Sequence, residues 1–290
     1  MLAVVVLASA AALAQTQPPR APVRPGSSPT ASTPDPNQPR PIDALDTVFM
    51  EDMTWMEVRD AMRAGKTTAI IATGGIEQSG PYLALGKHNV VLRATCDVIA
   101  RKLGNALVAP IIGLVPEGDY DPPSGHMKYP GTVGVRPETF KAILTDVAAA
   151  MKAHGFAHVI LLGDHGANPP GMKEVAETLA RQWAGSRTTI HVIPEYYDYD
   201  GATRFAESLG VHEVDEGLHD DFVITSIMAT VNPDSIRARQ RMAKGKFSIN
   251  GVGLAPLDKT VAIGKEIVDY RANVTVEAIR KALAKTSATQ

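Results

Sequence analysis

Side chains able to hold a metal ion or move a proton cluster in four short stretches of this 290-residue chain. Glu77 and His88 stand in the first; Glu117, Asp119, Asp121 and His126 in the second; Asp164 and His165 in the third; Glu195 with Tyr196, Tyr197 and Tyr199 in the fourth. Imidazoles mixed with carboxylates are the usual ligands of Zn, Mn or Fe(II). The same groups serve as general acids and bases. A fifth group, His219-Asp220-Asp221, lies further along the chain.

Each of the four stretches follows a short apolar run, and those runs say how the chemistry is positioned. Thr68–Thr73, Ala106–Ile112, His158–Leu162 and Thr188–Ile193 are brief, β-prone and apolar, as buried strands are. Helical patterns alternate with them. Thr54 and Glu57 form a capping-box signature for a helix to about Ala64. Asn89–Leu103 carries helical periodicity and stops before Gly104. Pro137 opens a helix that ends near His154-Gly155, since proline is tolerated in a first turn. Gly171–Trp183 and the tail from Leu257 onward also read as helical. Strands alternating with helices predict an α/β fold of three layers, α/β/α, with a mostly parallel central sheet. Ligands of such folds bind beyond the carboxyl ends of the strands, which is where the metal-capable residues fall.

Composition narrows the function classes. The net charge of −2 and the absence of a basic stripe argue against nucleic acid as a partner. The single cysteine, Cys96, excludes an internal disulfide framework and falls in a helical apolar pattern, where it reads as a small buried hydrophobe. Gly74-Gly75 follows a strand but lacks the G-x-G-x-x-G spacing of a dinucleotide site. Leu2 to Ala14 is apolar and closes in Ala12-Leu13-Ala14, a small-x-small cleavage pattern. Residues 1–14 are therefore expected to be a signal peptide, with an uncleaved anchor as the alternative. Residues 15–41, rich in Pro, Ser, Thr and Gln, are expected to be a disordered linker, and the folded domain to span 42–290. An exported protein follows, periplasmic or secreted and without a membrane contact once the leader is cleaved.

Four motifs then carry a resemblance. Gly74-Gly75-Ile76-Glu77-Gln78-Ser79-Gly80-Pro81-Tyr82-Leu83 resembles the first motif of the creatininase (creatinine amidohydrolase) family, a Glu, a His two residues on, then Gly-Pro-His-Leu. Tyr129-Pro130-Gly131-Thr132 with Arg136-Pro137-Glu138-Thr139 resembles its FPGT…RPET stretch. Gly163-Asp164-His165-Gly166-Ala167-Asn168 resembles its NGHGGN loop, and Leu218-His219 through Thr225-Ser226 its HAG…ETS helix start. Order and spacing agree from about Trp55 to Leu283.

The resemblance implies a hydrolase of C–N bonds, typically in cyclic amides, at a two-metal centre, acting on a small molecule and commonly assembled as a homo-oligomer. Carried over by position, it implies one metal at Glu77, His88 and His165. The second metal's positions are Ser79, His88 and Ala167, where two ligands are missing and a histidine replaces the bridging aspartate. The expectation is one divalent metal per chain, Zn, Mn or Fe(II). A decayed metal site with His88 merely at the surface is the competing reading. His219 matches the family's proton-transferring histidine. Its acidic partner falls at Ile224, so Asp220 or Asp221 is expected to stand in, unless these acids simply favour a helix N-terminus. Asp164 reads as orienting a ligand or as a turn residue. His126 reads as lining the pocket or as a structural histidine, and Tyr196, Tyr197 and Tyr199 as stacking on a flat ring or as packing; His126, Tyr197 and Ser79 are the candidates placed with Asp164 at the substrate. The acidic run 117–121 reads mainly as solvated, and His154, His158, His191 and His212 as structural. Two other functions fit the same scaffold: a non-catalytic binding protein that kept the pocket, or a metal-dependent lyase or isomerase.

Overall fold

The computed structural model describes residues 35–287, so the expected leader and most of the expected linker lie outside the described residues. Arg40–Gln290 forms a compact unit of its own. Its sheet has four parallel strands: β1 (Thr68–Thr73), β2 (Ala106–Val108), β3 (His158–Gly163) and β4 (Thr189–Val192), in the order β2-β1-β3-β4. The register runs Thr68 opposite Ala106 on one side and opposite His158 on the other. Ala69, Ile71, Val159 and Leu161 point to one face, and Ile70, Ala72, Ile160 and Leu162 to the other. Both faces are buried, which is why these strands are continuously apolar and do not alternate.

The helices are α1 (Trp55–Arg63), α2 (Lys87–Leu103), α3 (Pro137–His154), α4 (Asn168–Gln182), α5 (Tyr199–Ser208), α6 (Phe222–Val231), α7 (Ala238–Ala243) and α8 (Leu257–Ser287), with a small antiparallel pair β5 (Ser248–Ile249) and β6 (Val252–Gly253) before α8. The first face of the sheet packs on Phe140 and Leu144 of α3 and on Met172 and Val175 of α4. The second packs on Leu92, Cys96 and Ile99 of α2 and on Ala272, Val276 and Ile279 of α8. A third apolar cluster joins α2, α5, α6 and α8. The fold is α/β in three layers.

Local signals set most boundaries. Thr54 and Glu57 make the full capping box that opens α1. Pro137 stands in the first turn of α3, which Gly155 ends in a left-handed conformation at φ 96°. Three boundaries differ from expectation. β2 stops at Val108, because Pro110 has no N–H to give the ladder; the chain rejoins β1 by one bridge at Ile112. α4 starts at Asn168, with Pro169 and Pro170 in its first turn, where a missing N–H costs nothing. α2 starts at Lys87, so His88 is a helical residue and not the end of a loop.

Candidate active site

Loops leaving the carboxyl ends of β1, β2, β3 and β4 meet the 209–221 connection over a cavity of about 670 Å³, a size suited to a small molecule. Glu77 is buried at its centre and collects the other groups on its two oxygens. Oε1 lies 2.9 Å from His88 Nε2 and 3.0 Å from Lys87 Nζ. Oε2 lies 2.9 Å from both His126 Nε2 and His165 Nε2. Burial works against a charge on Glu77, but hydrogen bonds from His165 and His88 and the nearby Lys87 ammonium hold its carboxyl far below the usual carboxylate range. Crowding of this kind needs a bare backbone beside it. A Cβ on Gly75 would stand 2.9 Å from Glu117 Oε1 and 3.3 Å from the His165 ring.

Behind His88 lies a largely buried support. Its Nδ1 donates to Asp164 Oδ2 at 2.9 Å. Asp164 also accepts from Arg271 Nη2 at 2.8 Å and from the Tyr199 hydroxyl at 3.0 Å. Arg271 reaches over from α8, donates to the Tyr196 carbonyl at 3.1 Å, and sits 4.6 Å from the ring centres of Tyr196 and Tyr199. Burial disfavours the Asp164 charge, yet Arg271 and His88 keep its pKa below the ordinary value. Asp164 therefore orients His88, distant in sequence, and not its neighbour His165.

His165 is held differently. Its Nε2 is 3.1 Å from Glu117 Oε2 as well as beside Glu77. Burial alone would lower its pKa, but Glu117 and Glu77 outweigh burial and bring it to about 9. The Ala167 N–H, 3.1 Å from Nδ1, favours the neutral ring, because an imidazolium offers that amide no lone pair. His219 donates from Nδ1 to the Gln78 carbonyl at 3.0 Å, which leaves Nε2 to accept a proton. Its ring stacks on His126 at 4.6 Å, and burial lowers the His126 pKa. Asp220 lines the cavity with both carboxylate oxygens buried and unpartnered, and burial raises its pKa. Asp221 also borders the cavity, but it caps α6 by accepting from the Ile224 N–H at 2.6 Å, so of the two acids only Asp220 has its carboxylate free of such a partner.

The donor atoms of Glu77, His88 and His165 lie within 4.8 Å of one another, as do those of Glu77, His126 and His219. The first set fits a divalent ion once His165 Nδ1, which accepts from the Ala167 N–H, takes up the ring proton and so frees Nε2 to ligate. Replacing the Nε2 proton of His88 by a metal leaves its Nδ1–H bond to Asp164 intact, the arrangement that ligating histidines ordinarily have. The second set fits less well, since the nearer nitrogen of His219 is already a donor to a carbonyl.

Residues 51–279 match the model of the creatininase family, described as creatinine amidohydrolase. The chain belongs to that family. Among curated relatives, creatinine amidohydrolase of Pseudomonas putida is 24% identical over 155 residues, 53% of this chain and 59% of that protein. The 3-dehydro-scyllo-inosose hydrolase of Thermotoga maritima is 30% identical over 119 residues, 41% of this chain and 36% of that protein. These matches thus span only part of each curated relative. A crystal structure of creatininase superposes with a TM-score of 0.58 at 19% identity, over 83% of this chain and 98% of that one. A putative creatinine amidohydrolase from Bacteroides fragilis gives 0.54 at 17%, over 80% and 96%. At such identities these likenesses establish the creatininase fold. Other solved creatininases of this group are described as a zinc–zinc form and a manganese form.

Of the residues singled out from sequence, Glu77, His88, His126, His165, Tyr197, His219 and Asp220 line the cavity. Asp164 stands behind His88, and Ser79 is buried with its hydroxyl unpartnered and is not in the cavity wall. Ala167 and Ile224 do line it, with side chains that offer no ligand. Among the charged cavity residues, Glu117 departs from the solvated reading of its run, and Lys87 was not singled out. Glu117 is buried, unlike Asp119 and Asp121, and no local signal separates it from those neighbours. Lys87 is also buried; its position directly before His88 at a helix start was the available clue. Cys96 is buried, and burial pushes its thiol up to about 12.

Proposed function

We propose that this protein is a metal-dependent hydrolase that opens a C–N bond in a cyclic amide or a related small polar substrate, using one divalent ion, Zn, Mn or Fe(II). The observation that carries this reading is the convergence of Glu77, His88 and His165 within 4.8 Å, with His88 already fixed by Asp164 in the tautomer a ligand needs. Four acids and one ammonium line the cavity, an electronegative setting suited to a cation. A divalent ion there supplies an acidified water and a charge that polarises a carbonyl.

The chain's own residues supply the rest. Glu77, His88 and His165 hold the ion, and Arg271 through Asp164 holds His88 in place. His219, with Nδ1 committed to the Gln78 carbonyl, is the proton carrier, taking a proton on Nε2 and passing it to the leaving nitrogen. Asp220 accepts a hydrogen bond from a substrate N–H or O–H, which answers its unpartnered oxygens. His126 and Tyr197 border the place where the substrate ring lies. The names of the curated relatives, one acting on creatinine and one on an inosose, support hydrolysis more firmly than they support any one substrate. The apolar run 2–14 supports an exported setting, and the family resemblance supports a homo-oligomer.

Metal-loaded protein incubated with a panel of lactams and related cyclic amides tests the reading. Ring opening with one oxygen from labelled water in the product is the expected result. Conversion without label would point to a lyase or isomerase, and binding without conversion to a non-catalytic protein.

A further inference from the structure

Lys87 is the only lysine or arginine in the described cavity wall, and it is among the largest fully buried side chains of the protein. Its Nζ lies 3.0 Å from Glu77 Oε1, with 2% and 1% of the two side chains exposed. An ammonium has three donors and no acceptor. Among the described residues only Glu77 takes one of them. Leaving buried donors unmade is costly, so a cation placed here is suited to a partner that arrives in the cavity.

The same oxygen of Glu77 meets His88 Nε2 at 2.9 Å. Lys87 and the ion proposed for Glu77, His88 and His165 thus share one carboxylate. At the positions of a second ion, 167 is an alanine in the wall and Ser79 lies outside it, and the other close set, Glu77, His126 and His219, has His219 Nδ1 already donating to the Gln78 carbonyl. The donor set for two ions is not met, and the positive charge a second ion would bring is already built into the chain.

We propose that Lys87 is the second cation of this centre, standing in for a second metal ion and donating its free N–H groups to the oxyanion that forms from the substrate carbonyl. Lys87 exchanges no proton in this role; it offers charge and hydrogen bonds that strengthen as negative charge develops. The inference rests on the one-ion hydrolase reading above.

The full chain, stripped of metal and titrated with Mn²⁺ while free Mn²⁺ is followed by electron paramagnetic resonance, tests it. Wild type is expected to bind one ion per chain. Lys87→Met removes a positive charge that competes for Glu77, so Mn²⁺ affinity should rise at least about tenfold. Turnover of a responsive lactam should fall about 10²- to 10³-fold, the range for loss of one oxyanion donor. Lys87→Arg, which keeps the charge, should hold Mn²⁺ affinity within about threefold of wild type. Two ions in wild type overturn the proposal, and this holds even if Lys87→Met does not fold. One ion in wild type with unchanged affinity in Lys87→Met overturns it and leaves the one-ion reading standing. No ion in wild type overturns both.

Discussion

The groups gathered on the Glu77 carboxylate are held in two unlike ways. Around His88 the groups are pinned and, apart from the half-buried Tyr199, buried: His88 to Asp164, Asp164 to Arg271 and Tyr199, and Arg271 between two tyrosine rings. His126, beside Oε2, and His219, 3.8 Å from Oε1, have side chains 28% and 45% exposed and stack on one another. A pinned imidazole suits a fixed ligand, because its geometry does not change as the reaction proceeds. An exposed imidazole with one nitrogen anchored suits proton traffic, because water and substrate both reach it. The contrast matches the division of one cluster of histidines into the proposed holders and the proposed carrier without recourse to sequence position.

That division is broken most severely at the group both sides share. Glu77→Gln should leave metal content at background and hydrolysis undetectable, as measured by elemental analysis and a product assay. Next comes the pinned side. Arg271→Met strands the buried Asp164 charge and should cost about 3–5 kcal/mol in a urea unfolding curve. In protein that remains folded, metal affinity should fall about 10- to 100-fold. On the carrier side the expected pattern is opposite. His219→Gln should lower kcat by about 10²- to 10⁴-fold while metal content and unfolding midpoint stay at wild-type values. Loss of metal from that variant would remove the distinction between the two sides.

The smallest effect expected is on pH dependence, and it concerns His165. Its folded pKa lies above the ordinary histidine value, at about 9, so the protonated ring favours the folded state. That contribution is complete below about pH 6.5 and is lost as pH rises through about 9. Metal-free protein should therefore show a falling Tm across this window, and His165→Gln should flatten the fall. Metal must displace the same proton, so metal affinity should rise over the same range.

Much of the scaffold is written locally in the chain. The capping box at Thr54, Pro137 in a first turn, and apolar runs between helical patterns are short-range signals, and the elements stand where those signals put them. The misjudged boundaries also have local causes, Pro110 for β2 and Pro169-Pro170 for α4. In the site, Glu77, His88 and His165 were legible because strand-end loops concentrate ligands and because four motifs stood in register. Arg271 was not, since it meets Asp164 across 107 residues of chain and sits in an otherwise ordinary helix. Lys87 was hidden, and Glu117 read as solvated, for a related reason. Charged side chains read as solvated unless tertiary packing closes over them, and the packing here comes from loops on several strands.

The central claim is that Glu77, His88 and His165 together hold one ion. Elemental analysis of the purified protein, repeated on His88→Ala and His165→Ala, tests it most directly. About one divalent metal per chain in the wild type, lost in both variants, is the predicted result. Metal retained in both variants, or none in the wild type even after reconstitution, would contradict it.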